Sequence, residues 1–195
     1  MAAEISVPGV ILHGDTYTAP VGSVLVGARY GLRDDVELRL RLNTFPLVKG
    51  IVGVEGGGVY HVRPASGLDP GLHVTSDLSL LTNPRFYGRG LGASTRGALD
   101  VAGLADIAPT PWVRPYVVVD QAVILANGQY VLSLFVGAQF VLGRFELSIE
   151  TGVADVNERT RSHTQPYVGL AGQGALAISW GLAYRFDDRD QEVGP

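Results

Sequence analysis

His73, Asp77 and Ser79 supply the residue types of a general base, an orienting carboxylate and a nucleophile. Period-two spacing puts all three on one face of a strand. Such a trio would support hydrolysis or acyl transfer, but a triad is defined by geometry rather than by spacing. The same side chains serve equally as members of a hydrogen-bond network, and the sequence favours that role. His61 is expected on the same face as His73. His13, in His13-Gly14-Asp15, and His163, in Ser162-His163-Thr164, fall in loop-like segments where a solvated imidazole is the default. Four scattered histidines without a cysteine give no ligand spacing, so no metal site is expected, and no cofactor either. Gly56-Gly57-Gly58 follows a strand but opens no helix, which leaves a phosphate cradle unsupported. It reads as a bend or close-packing point in a sheet.

The composition narrows what can position these residues. A chain of 195 residues is one domain by length. Its hydrophobic fraction is 46% and its mean hydropathy +0.20, yet only 17% of residues are charged, against about 25% in ordinary soluble domains. Of 15 basic residues only Lys49 is a lysine. Soluble proteins usually cover their exterior with Lys and Glu, so something other than water is expected to face this exterior. The 26 glycines disfavour long helices. The net charge of −4, without a basic run, gives no reason to expect nucleic acid as a partner. Cysteine is absent, which excludes disulfides and thiolate chemistry. No window approaches 18 consecutive apolar residues, so no transmembrane helix is expected. Met1-Ala2-Ala3-Glu4 does not read as a signal peptide; an exported protein would be represented here in a mature or recloned form.

The dominant pattern is alternation. In Val36-Glu37-Leu38-Arg39-Leu40-Arg41-Leu42-Asn43 the even positions are aliphatic and the odd ones charged or amide; Phe145-Glu146-Leu147-Ser148-Ile149-Glu150 repeats this with parity reversed. These are strands. The same template predicts strands at 21–32, 34–44, 47–62, 70–81, 86–100, 112–125, 129–141, 143–153, 165–173 and 175–186. Residues 1–20 form a lead-in or one extra strand, and 187–195 a polar tail. Longer loops are expected near 101–111 and 154–164, and in this register connection lengths do not alternate cleanly between short and long. The fold class is therefore all-β: a closed antiparallel up-and-down barrel over 21–186, of about ten strands with eight to twelve possible, crossing a membrane.

Three features favour a membrane barrel over a soluble one. Most segments reach the roughly 9–11 residues that a tilted strand needs to cross a bilayer. Tyr130 and Phe140 share a face with Leu132, Leu134, Val136 and Ala138 between them, a rise of about 25 Å once tilted. With Tyr30, Tyr60, Trp112, Phe145, Tyr167, Tyr184 and Phe186 near strand ends, this suggests two aromatic girdles, although Trp112 and Tyr167 carry lumen parity. Finally, the polar face is rich in small residues such as Ser133, Gly137, Ser179, Gly181 and Ala183, as a narrow interior requires. That parity assigns to the lumen Arg29, Glu37, Arg39, Arg41, Lys49, Glu55, His61, His73, Asp77, Arg114, Asp120, Arg144, Glu146, Glu150 and Arg185. Because acids and bases nearly balance in that set, a salt-bridged lumen is expected rather than a field of one sign.

The phrase Gly27-Ala28-Arg29-Tyr30-Gly31-Leu32-Arg33-Asp34-Asp35-Val36-Glu37-Leu38 resembles the strand–turn–strand phrase of many bacterial outer-membrane barrels. The segment Leu176-Ala177-Ile178-Ser179-Trp180-Gly181-Leu182-Ala183-Tyr184-Arg185-Phe186 resembles their final strand, which carries the barrel-assembly signal; here Asp187 to Pro195 follow the terminal aromatic. The resemblance implies a Gram-negative envelope protein of porin-like class. It also implies outer-membrane lipid, or detergent in its place, and the barrel-assembly machinery as partners. The leading functional expectation is a structural or scaffolding barrel, or a narrow channel with a charged, largely filled lumen. The alternatives are a barrel enzyme acting on lipid, with His73, Asp77 and Ser79 similar to the catalytic groups of outer-membrane lipid hydrolases, and a soluble or lipid-anchored barrel holding an apolar ligand.

Overall fold

In the computed structural model, residues 1–13, 18–22, 24–43, 52–83, 94–125, 128–159 and 173–186 are described. They form the strands β1 (Ala2–His13), β2 (Thr18–Gly22), β3 (Leu25–Arg33), β4 (Val36–Asn43), β5 (Val52–Arg63), β6 (Gly67–Asn83), β7 (Ser94–Ala108), β8 (Val113–Ile124), β9 (Gln129–Leu142), β10 (Phe145–Arg159) and β11 (Gln173–Arg185). From β3 to β11 each strand pairs antiparallel with the next. β1 pairs with β3 through Ala2–Ser6 and with β2 through Gly9–His13, so β2 and β3 are two lengths of one stave. β1 also pairs with β11, from Ala2 opposite Arg185 to Val10 opposite Ala177. That seam closes a ten-stave barrel and leaves no open edge, which removes the liability of unpaired backbone groups.

The barrel matches the expected class, with a different set of staves. β1 is the extra strand that residues 1–20 offered as the alternative to a lead-in. The expected strand at 165–173 lies, except for Gln173, outside the described residues, as do Lys49 and Tyr167. Parts of two expected loops are strand instead: β7 runs on to Ala108 and β10 to Arg159, while 160–164 lie outside the described residues. Gly103, Asp106 and Pro109 made 101–111 look like a loop. In a barrel interior a polar inward position can find an ionic partner, so Asp106 continues the strand rather than ending it.

With the strand ends as observed, the connections alternate. At one end lie residues 34–35, 64–66, 109–112 and 143–144, together with Met1 and Phe186. At the other lie 14–17, 44–51, 84–93, 125–128 and 160–172. The first set is the tighter, and Gly143, with φ of 62°, supplies the left-handed residue of the two-residue turn between β9 and β10. The irregular connection lengths of the sequence register came chiefly from ending strands near 100 and 153, where β7 runs on to Ala108 and β10 to Arg159.

Exposure follows the pleat. Leu38, Leu40 and Leu42 are 46%, 58% and 50% exposed, whereas the Arg39 and Arg41 side chains between them are each 17% exposed. Among the described residues no large side chain is fully buried, and the buried apolar residues are Ala2, Ala102 and Ala183. The apolar residues form an exterior rather than a core. Aromatic rings gather at the tight-turn end: Tyr30, Tyr60, Trp112, Phe140, Phe145, Tyr184 and Phe186. Phe145, Tyr184 and Phe186 stack edge to face in sequence, each pair with centroids 5.1 Å apart. Tyr130 stands at the opposite end. One belt thus stands at the tight-turn end, and Tyr167 of the expected second girdle lies outside the described residues. Trp112 is exposed in the 109–112 turn instead of facing the lumen.

Candidate functional site

The inward faces of these staves bring charged side chains together across the lumen. Arg39 on β4 is opposite Gly57 on β5, and Gly57 is opposite Asp77 on β6. The Arg39 guanidinium passes over the glycine and grips both Asp77 carboxylate oxygens, with Nε to Oδ1 at 2.6 Å. A Cβ on Gly57 would collide with the Ser76 carbonyl and the Asp77 side chain. Gly137 plays the same part between Tyr116 and Glu150, its cross-strand neighbours on β8 and β10. Tyr116 donates to Glu150 at 3.3 Å across it, and an added Cβ would meet the tyrosine ring at 2.6 Å. The small residues on the polar face thus make room for contacts between next-nearest strands.

A second cluster surrounds Glu146. It pairs with Arg29 at 2.7 Å and Arg185 at 2.9 Å, and accepts from Gln139 at 3.1 Å. Arg29 also meets Glu4 at 3.1 Å and Glu37 at 3.8 Å, while Arg41 meets Glu55 at 2.9 Å. Ser179 donates to Glu150 at 2.5 Å. The arginines Arg29, Arg39 and Arg41 thus stand on β3 and β4, each matched by carboxylates. On the facing β7 and β8 stand Asp100 and Asp120, which have no ion pair among the described residues; Asp100 is directly opposite Asp77 in the ladder. The lumen has a paired side and a side with surplus negative charge. Between them remains a cavity of about 510 Å³, lined by Arg29, Arg39, Arg41, Glu55, Asp100, Asp120, Glu150 and their neighbours.

His61 and His73 are direct cross-strand neighbours on β5 and β6, near the tight-turn end. Their Nδ1 atoms are 2.7 Å apart, and His73 Nε2 lies 3.0 Å from Asp106 Oδ1. The carboxylate partner of His73 is Asp106, while Asp77 is engaged by Arg39. Ser79 Oγ donates weakly to the Ala98 carbonyl at 3.4 Å. His73, Asp77 and Ser79 therefore do not assemble as nucleophile, base and orienter. Arg114 and Arg144 are exposed at the tight-turn end, outside the ionic clusters, and Arg144 reaches the Tyr184 hydroxyl at 3.3 Å.

Several members of the site were not singled out in the sequence. Glu4 lay in residues 1–20, expected as a lead-in or one extra strand. Asp100 and Asp106 lay where the alternation around the Gly-rich stretch and Gly103 blurs. The parity of Ile5 against Glu4, and of Val101 against Asp100 and Ala102, was the available signal. The His61–His73 contact depends on register across a turn, which spacing alone does not determine.

No family model matches the chain, and no curated protein matches it in sequence. Among solved structures the chain is similar to the NanC porin in a rhombohedral crystal form, at 9% identity and a TM-score of 0.48, over 94% of this chain and 99% of that one.

Proposed function

We propose that this chain is an integral barrel of a bacterial outer membrane whose lumen is a narrow, charge-lined and mostly filled passage. The carrying observation is the inversion along β4: Leu38, Leu40 and Leu42 open to the outside, and Arg39 and Arg41 enclosed and ion-paired. Water would reverse that arrangement, because exposed aliphatics gain nothing from it and enclosed charges lose hydration. Hydrocarbon favours it, and a closed ladder is the way strands satisfy their backbone there. The aromatic belt marks one interface, and tight turns with both described termini mark the periplasmic end, since barrels of this kind carry short turns there and longer loops outside. The same observation disfavours a soluble barrel holding an apolar ligand, and the unassembled trio of His73, Asp77 and Ser79 gives a lipid-hydrolase reading no support.

The ion-paired arginines and the carboxylates around them project into the lumen and line a cavity of about 510 Å³, which supports a narrow passage over a wide pore. Purified protein folded in detergent is expected to run as a compact band unboiled and to shift on boiling. In planar lipid bilayers it should give small, sparse current steps. Large, stable conductance steps would overturn the filled-lumen reading; solubility without detergent would overturn the membrane reading.

A further inference from the structure

We infer that the wall formed by β7, β8 and β9 holds a lumenal site for a small organic cation with an apolar body, an aryl-alkyl ammonium in chemical class. Three apolar side chains face inward there in direct cross-strand register: Leu104 opposite Val118, and Val118 opposite Phe135. All three line the cavity of about 510 Å³. The outward positions of the same strands, Val101, Val119 and Leu134 among them, already supply the exposed apolar exterior. The inward trio is a separate patch in an otherwise ionic lumen, and such a patch gains by being covered. Phe135 is shaped for contact. Its neighbour on β10 is Gly152, where an added Cβ would meet the ring Cδ1 at 2.6 Å. The ring therefore leans along the wall over the glycine, as Tyr116 does over Gly137.

The charge stands next to this patch. Asp120 follows Val118 by two residues on the same face of β8. Asp100 lies diagonally across from it on β7, since Asp120 is opposite Ala102 and Asp100 is opposite Ala122. Diagonal neighbours have Cα atoms roughly 7–8 Å apart, so one ammonium group fits between the two carboxylates. Both line the cavity, neither has an ion pair among the described residues, and a cation between them relieves their mutual repulsion. The arginines of the facing wall are already matched, Arg39 by Asp77, Arg41 by Glu55 and Arg29 by Glu146. An anionic solute would meet free carboxylates and occupied arginines. Two residues along a strand span about 7 Å, the reach of a phenylalkyl group, so a cation seated at Asp120 lays its body over Val118 and Phe135. A cavity of this volume, with an apolar lining and a few polar groups, has the usual form of a small-molecule site. The site rests on the narrow-passage reading in one respect, that solutes reach the cavity from at least one mouth.

The test is isothermal titration of the folded, detergent-solubilised barrel with phenethylammonium chloride, corrected by the same titration into protein-free micelles. One equivalent is expected to bind. It should bind more tightly than ethylammonium, which lacks the ring, and more tightly than phenethyl alcohol, which lacks the charge. That comparison uses the unsubstituted barrel and does not depend on any variant folding. Asp120→Asn should weaken binding by about tenfold or more. Phe135→Leu, which keeps an apolar side chain but loses the ring, should weaken it about fivefold. Equal binding of the three probes, binding indifferent to both substitutions, or no binding above the micelle blank would overturn the site. Conductance separates the site from the passage. Small current steps in a barrel that does not bind the probe would end the site and keep the passage. Binding in a barrel that passes no current would keep the site and end the passage.

Discussion

Arg39 and Asp77 form a two-pronged ion pair across an intervening strand, made possible by Gly57 beneath it. Both side chains are mostly enclosed, at 17% and 5% exposure, so removing one partner strands the other charge. Asp77→Ala is expected to destabilise the barrel by about 3–5 kcal/mol, measured as equilibrium unfolding in detergent micelles. Replacing both residues together, as Arg39→Met with Asp77→Leu, should cost less than Asp77→Ala alone. Gly57→Val should lose stability too, because its side chain would occupy the path of the guanidinium. If Asp77→Ala and the double variant unfold alike, the pair is not coupled as its geometry demands.

The outward face makes a separate demand. Leu40 is 58% exposed and lies midway along β4, between the charged positions 39 and 41. In lipid, Leu40→Arg should cost about 2–4 kcal/mol, the depth-dependent range for a cation near the midplane of a barrel wall. On a water-facing surface the same change would be close to neutral. Reversible unfolding in lipid vesicles separates these outcomes, and a neutral result would count against the membrane.

How much of this was legible follows from which signals are local. Alternation at 36–43 and 145–150 announced the pleat, the polar face and the barrel class, because side-chain parity is a property of one strand. The paired charges on that face could be named individually. Their partners could not. That Arg39 meets Asp77 rather than Glu37 or Glu55, and that His73 meets Asp106 rather than Asp77, depends on register between strands, which the sequence encodes through turns and closure. Closure itself was hidden in β1, where Val7-Pro8-Gly9-Val10 breaks the alternation that marks β4. The role of Gly57 was legible only as close packing; what packs there required the neighbouring strands.

The imbalance between the two sides of the lumen sets a direction for any current that passes. Arg29, Arg39 and Arg41 are matched by carboxylates, whereas Asp100 and Asp120 line the cavity with no ion pair among the described residues. Small conductance events should therefore favour cations, read as the sign of the reversal potential across a salt gradient. Asp100→Asn with Asp120→Asn should move that potential toward zero or reverse it, while leaving the heat-dependent gel shift intact. Anion preference in the unsubstituted protein would show that the arginine side governs the passage.

Orientation can be tested cleanly because the chain contains no cysteine. The tight turns at 34–35 and 143–144 lie at the end where β11 and β1 meet, and the connection at 160–172 lies at the other. A hairpin end with two-residue turns offers no material for contacts outside the cell, and in barrels of this kind it faces the periplasm. Asp34→Cys should therefore resist a membrane-impermeant maleimide in intact cells and react once the outer membrane is opened. Ser162→Cys should react in intact cells. Asp34 is in the two-residue turn between β3 and β4, outside the ladder, and the two substitutions report opposite ends of one molecule. The reverse labelling pattern would keep the barrel and invert it, placing the aromatic belt and the His61–His73 mouth at the cell surface.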